Sequence, residues 1–198
     1  MNIPFNKPPL IQDSSGMLLD SLNSGNVSGR GPFTLKAEEW LELNNPQISK
    51  ALLTTSCTHA LEASAILLNL KPDDEVIVPS YTFVTSALAF YMHGAKIVFA
   101  DIKPNTLNID ETKIEKLITK KTKALVAVHY AGVSCEMNEI MKIGKKYHLY
   151  IIEDNAHGIF GEYHNRKLGS IGHMSTFSFH KTKNISCGEG GALVLNKK

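Results

Sequence analysis

Short β-rich runs at 75–79, 96–100, 124–128, 149–153, 176–180 and 192–196 mostly alternate with helix-like segments at 57–69, 83–93, 110–119 and 136–147. This alternation constrains the fold more than any single motif, because parallel strands cannot be joined by tight turns and need a crossover between them. It predicts an α/β fold with a mainly parallel sheet covered by helices. A Pro- and Gly-punctuated arm with weaker helices near 14–22 and 33–43 precedes it, and no linker or internal repeat divides the chain. Residues 1–198 therefore read as one unit. In such sheets ligands collect beyond the carboxyl ends of the strands. Pro79, Asp101, His129, Asp154 and the loop holding Lys183 all follow predicted strand ends.

Two of these positions carry the most chemistry. Phe177-Ser178-Phe179-His180 leads through Lys181-Thr182-Lys183-Asn184 into Gly188-Glu189-Gly190-Gly191, an apolar strand delivering a lysine to a glycine-rich loop. Tyr150-Ile151-Ile152-Glu153 delivers Asp154 in the same way, 29 residues before Lys183. A lysine amine and a buried carboxylate at adjacent strand ends are the two groups that pyridoxal phosphate chemistry needs. The amine condenses with the cofactor aldehyde, and the carboxylate keeps the pyridine nitrogen protonated so that the ring can accept electrons. An aspartate after a strand also caps turns, and the residues alone do not separate Lys181 from Lys183.

Other positions admit two readings each. Thr54-Thr55-Ser56-Cys57-Thr58 opens an apolar-periodic helix, where free N–H groups and hydroxyls suit either a phosphate or a simple N-cap. Tyr81 and Phe83, just past a strand end, suit ring stacking or the core. His157, three residues after Asp154, suits a contact with the cofactor's phenolic oxygen or a structural role. Period-2 alternation sets Phe177 and Phe179 on one face of their strand and Ser178 and His180 on the other. Ser178 is thus a second phosphate hydroxyl or a solvent-facing serine.

Composition removes several function classes. With 21 Lys and Arg against 19 Asp and Glu, the net charge of +2 offers no nucleic-acid or polybasic membrane footprint. Cys57, Cys135 and Cys187 are too scattered for a disulfide framework or a zinc site, so no metal is expected and a reducing cytoplasm is the natural location. No stretch approaches the roughly 20 apolar residues of a membrane span, and the start lacks a leader pattern.

Taken together, Thr55-Ser56-Cys57-Thr58, Pro79-Ser80-Tyr81-Thr82-Phe83, Glu153-Asp154-Asn155-Ala156-His157-Gly158 and Phe177 through Lys183 to Gly191 resemble the DegT/DnrJ/EryC1/StrS sugar aminotransferases. The likeness includes Phe33-Thr34, Ala100-Asp101-Ile102, Asn108-Ile109-Asp110 and Val128-His129-Tyr130-Ala131-Gly132, and keeps their order from about Ile3 to the last residue. It implies a pyridoxal 5′-phosphate enzyme of fold type I: a three-layer large domain, here incomplete and without the small C-terminal domain. By resemblance Lys183 bonds the cofactor, Asp154 pairs with its ring nitrogen and His157 lies beside the phenolic oxygen. Phe83 stacks on the ring, and Ser178 with Ser56, Cys57 and Thr58 takes the phosphate.

Pro4-Phe5-Asn6 and Cys135-Glu136-Met137 narrow the likeness to members that aminate C4 of a dTDP-4-keto-6-deoxyhexose, with glutamate as donor, in enterobacterial common antigen synthesis. Other keto nucleotide sugars are the alternative. Lysine at 183 disfavours the dehydratase branch, which carries histidine there, and Leu88 departs from an asparagine found in many members. Members run to roughly twice a single domain of this size and pair as homodimers that share their active sites. These residues are therefore expected to hold the main cofactor anchors without the whole site, and a catalytically silent fragment is the competing expectation.

Overall fold

The computed structural model describes residues 3, 4, 7 and 13–197; Phe5 and Asn6 of the Pro4-Phe5-Asn6 stretch lie outside them. Seven strands form the main sheet in the order β1-β9-β8-β5-β4-β2-β3. These are β1 (Ile48–Thr54), β2 (Glu75–Pro79), β3 (Lys96–Ala100), β4 (Thr122–Val128), β5 (Tyr150–Asp154), β8 (Met174–Ser178) and β9 (Gly191–Asn196). A short hairpin, β6 (Glu162–Tyr163) with β7 (Arg166–Lys167), stands apart. The pairs β3–β2, β2–β4, β4–β5 and β5–β8 are parallel, whereas β9 runs antiparallel to both β8 and β1. The sheet is thus mainly parallel, as the alternation requires.

Both faces are covered. On one side α3 (Cys57–Leu67) and α4 (Thr85–Tyr91) pack Ala60, Leu61, Ala65, Ala89 and Phe90 against Val76, Val78, Val126 and Ile152. On the other, α5 (Met137–Tyr147) packs Met137, Ile140 and Ile143 against Leu125, Ala127 and Ile151. The three-residue spacing of those α5 residues keeps them on one apolar stripe, and burying each is worth about 1.5–3 kcal/mol. The helix α2 (Pro32–Leu43) starts on a proline and seats Leu41 with Ile48, Ala51, Phe177 and Val194. The first helix, α1 (Ser14–Asn23), buries no residue.

The structure adds the hairpin β6–β7, which the sequence reading lacked, and differs from that reading elsewhere too. Strand β1 was not expected; it lies at the sheet edge beside β9. The segment read as a helix over 110–119 is instead two 3-10 turns, Glu111–Lys113 and Glu115–Leu117. Asp110 accepts the Thr112 N–H at 3.1 Å and so favours a tight turn over a continuing helix. Strand β8 ends at Ser178, two residues before the expected limit, so His180 already belongs to the lysine loop. Among the described residues no helix is long and apolar enough to cross a membrane.

Candidate active site

At the carboxyl ends of β2, β4, β5 and β8 lies a cavity of about 670 Å³. Chain order reverses here, since β2 leads outward to β3 and the chain then crosses back to β4, and this is where open α/β sheets form crevices. The eight residues given a cofactor contact by resemblance, Ser56, Cys57, Thr58, Phe83, Asp154, His157, Ser178 and Lys183, line this cavity, as do Tyr81 and His129, whereas the strand-end positions Pro79 and Asp101 do not. Lys181 does not; it is exposed, and its N–H donates to the Gly188 carbonyl at 2.9 Å.

Strand pleating explains which carboxylate faces the cavity. Ile151 and Ile152 pack into opposite cores, so Glu153 follows Ile151 to the α5 side and Asp154 follows Ile152 to the α3–α4 side. Asp154 is only 4% exposed, and its partners are neutral. The Ser86 hydroxyl donates to Oδ2 at 2.6 Å and the Ala156 N–H to Oδ1 at 3.2 Å. A carboxylate this buried without a cation in contact is poised to receive one.

Lys183 is half-buried, and burial pulls its amine below the ordinary lysine value while Cys57 and Asp154 act in the opposite sense. The fraction of neutral, nucleophilic amine rises accordingly. The loop that carries it is tied down by Phe179 N–H to Gly190 at 2.8 Å, Cys187 N–H to Phe179 at 3.0 Å and Lys183 N–H to His180 at 2.9 Å. His180 Nε2 also lies 3.2 Å from a Glu189 carboxylate oxygen across the loop.

Ser56 is the N-cap of α3, accepting the His59 N–H at 3.2 Å. Its hydroxyl proton stays free for an anion, so the cap and phosphate readings are compatible. Cys57 turns its thiol inward, 3.5 Å from Thr176 Oγ1, and burial pushes that thiol well up; this residue offers its backbone N–H. Gly191 lets β9 pass the helix start: a Cβ there would sit 2.4 Å from the Ser56 carbonyl carbon. Ser178 and His180 line the cavity while Phe177 and Phe179 pack in the core, in keeping with the period-2 reading. Phe83 is 73% exposed at the cavity wall, which removes it from the core.

His157 has a defined proton. The Ala131 N–H donates to Nδ1 at 3.1 Å, leaving Nε2 as the N–H donor, and burial with the Lys183 charge holds the ring below the usual histidine value. Ala131 adopts a left-handed conformation, φ 53 and ψ 21, to make that contact.

Sequence reasoning missed Ser86, Thr82 and Tyr130, which also line the cavity. The one usable signal was a hydroxyl on a buried stripe, Ser86-Ala89-Phe90 at helical spacing. Leu88, flagged instead, is 42% exposed and is not among the cavity-lining residues. Among the described residues no group of three metal-ligating side chains gathers.

Similarity to known proteins bears on the family and the fold. The model of the DegT/DnrJ/EryC1/StrS aminotransferase family matches residues 10–198. GDP-perosamine synthase of Caulobacter vibrioides is 34% identical over 189 residues, covering 96% of this chain and 51% of that protein. Among solved structures, Helicobacter pylori PseC, an aminotransferase involved in the biosynthesis of pseudoaminic acid, superposes with a TM-score of 0.91 at 36% identity. It covers 98% of this chain and 52% of its own. E. coli GDP-4-keto-6-deoxy-D-mannose-3-dehydratase with bound hydrated PLP gives a TM-score of 0.91 at 26% identity, covering 99% of this chain and 51% of its own. The chain spans about half the length of the curated relatives it matches. With its fold, its lysine loop and a family model matching nearly its whole length, the chain belongs to the DegT/DnrJ/EryC1/StrS aminotransferase family.

Proposed function

We propose that the protein containing this chain uses pyridoxal 5′-phosphate to move an amino group from glutamate to a keto carbon of a nucleotide-linked sugar. The observation that carries this reading is the convergence of the Lys183 amine and the buried Asp154 carboxylate in one cavity beside the N-terminus of α3. The donor set fits the cofactor: an amine of lowered proton affinity for its aldehyde, a cation-seeking carboxylate for its ring nitrogen, and a helix start with hydroxyls for its phosphate. When bound, pyridoxal phosphate supplies a protonated pyridine ring that takes up the electron pair left as the amino acid's α-proton departs.

Each residue then has a task. Asp154 holds the ring nitrogen's proton, and Ser56, Thr58 and Ser178 with the first N–H groups of α3 hold the phosphate. Phe83 would lie against the ring, and His157 would offer its Nε2 proton to the phenolic oxygen. Lys183 would hold the cofactor through its amine and would serve as the base that moves the proton at the amino acid's α-carbon.

For the acceptor we propose a dTDP-4-keto-6-deoxyhexose aminated at C4, in cell-surface polysaccharide synthesis of the enterobacterial common antigen type. The likeness of Pro4-Phe5-Asn6 and Cys135-Glu136-Met137 to dTDP-4-amino-4,6-dideoxygalactose transaminases supports this choice. Relatives named for GDP sugars and for pseudoaminic acid make other keto nucleotide sugars the second reading. We further propose a homodimer at natural length and a cytoplasmic location. The test is glutamate-dependent amination across dTDP-, UDP- and GDP-linked keto sugars. Product from the dTDP-4-keto sugar at the highest kcat/KM supports the reading, preference for another keto sugar moves it to the second, and no transfer from glutamate to any of them overturns it.

A further inference from the structure

Asp154 is held by a chain of hydroxyls that the cofactor reading does not use. Ser86, 1% exposed in the first turn of α4, donates to Asp154 Oδ2 at 2.6 Å, and Thr82 Oγ1 lies 2.8 Å from Ser86 Oγ. A carboxylate oxygen only accepts, so the single Ser86 proton is committed to Asp154 and the Thr82 proton to Ser86. The direction of the whole relay is thereby fixed. The same short stretch holds Phe83 at the cavity wall, between Thr82 and the start of α4. With Oδ1 taken by the Ala156 N–H at 3.2 Å, both oxygens are anchored before any ligand enters. The carboxylate plane is therefore set by its neighbours.

We propose that Ser86, supported by Thr82, is a positioning residue that orients the Asp154 carboxylate toward a cationic ring N–H. This rests on the pyridoxal phosphate reading above and adds to it the group that fixes the geometry of the ring-nitrogen contact. Outer partners of this kind commonly change affinity by ten-fold or more without touching the ligand.

The experiment compares binding of pyridoxal 5′-phosphate with its 1-deaza analogue, in which a ring C–H replaces the nitrogen, to the protein at natural length. Borohydride trapping on Lys183 is followed in parallel. The wild type is expected to prefer the natural cofactor about tenfold or more, as a hydrogen bond to a charged group implies. Ser86→Ala should shrink that preference at least threefold while both ligands still label Lys183, Ser86→Thr should restore it, and Thr82→Val should narrow it less. A purely structural role weakens both ligands equally and leaves the ratio unchanged, which overturns the proposal. If Ser86→Ala does not fold, Ser86→Cys, of similar size and a poor donor, takes its place with the same expectation. A wild type without any preference overturns the Asp154 reading itself and this inference with it, and is told apart by the wild-type ratio alone.

Discussion

Replacing Glu153 by glutamine should cost far more stability than an isosteric change usually does. Glu153 is fully buried on the α5 side of the sheet and accepts four hydrogen bonds. Ile171 and Gly172 N–H donate to Oε1 at 2.7 and 2.6 Å, and Gly169 N–H and His129 Nε2 donate to Oε2 at 2.9 Å each. The Cys135 N–H donates to His129 Nδ1 at 3.2 Å, so the His129 proton sits on Nε2. One carboxylate thereby ties the ends of β4 and β5 to the turn that feeds β8, the three strands whose ends deliver Tyr130, Asp154 and Lys183. Glutamine keeps one acceptor oxygen and sets an NH₂ against two donors. Two charge-assisted bonds at about 1.5–3 kcal/mol each are lost, giving about 3–6 kcal/mol in all. At about 2–4 °C per kcal/mol for a domain of this size, the melting temperature should fall by about 10 °C.

The pH dependence adds a second reading of the same variant. Burial raises the Glu153 carboxyl, but His129 and the Gly172 and Gly169 N–H groups outweigh it and hold it below its ordinary value of 4.5. Its contribution is therefore complete above pH 4.5 and lost as pH falls through the lower folded-state value. Urea and thermal unfolding of wild type and Glu153→Gln should show a gap at pH 7 that closes in acid. A gap under about 1 kcal/mol at pH 7 would show that Glu153 does not carry these bonds, because a buried donor set against two donors costs more than that.

Three further outcomes follow from the site. Asp154→Asn should lose no more than about tenfold in cofactor affinity but at least 100-fold in the half-reaction with glutamate, since a neutral ring stabilises the carbanion poorly; stopped-flow absorbance checks it, and an unchanged rate rejects the role. The rate at which the cofactor-free protein captures pyridoxal phosphate should rise with pH to a midpoint below 10.5, because burial lowers the Lys183 value, and Asp154→Asn should move that midpoint lower still by removing a charge that raises it. A midpoint at 10.5 or above contradicts this. Gly191→Ala should displace the start of α3, given a Cβ 2.5 Å from the Cys57 nitrogen, and weaken pyridoxal phosphate binding more than pyridoxal binding in equilibrium dialysis; equal effects on both would remove that helix start from the phosphate site.

The cavity was legible because its residues sit at strand ends, where an apolar run stops at a polar side chain. Ser178 between Phe177 and Phe179 is read from a period of two, and Asp154 from its place at the end of the apolar run through Ile151-Ile152. Strand β1 was not legible for the opposite reason. Ser49-Lys50 interrupts its alternation, and its free edge is completed from another element: Glu42 of α2 accepts the Ala51 N–H at 3.0 Å and Glu38 the Leu53 N–H at 3.1 Å. Such pairings depend on tertiary placement that no local pattern encodes. Ser86 was hidden likewise, because its partner Asp154 lies 68 residues away. The Ala131 contact that fixes the His157 tautomer requires a left-handed alanine, which sequence statistics disfavour.

Lys183 is the amine proposed to bond pyridoxal phosphate. The protein at natural length is incubated with the cofactor, reduced with borohydride, digested, and the pyridoxyl-bearing peptide sequenced. A single label on Lys183, absent from Lys183→Ala, is the predicted result; a label on Lys181, two residues earlier in the same loop and outside the cavity, or equal labelling of surface lysines, would contradict the assignment.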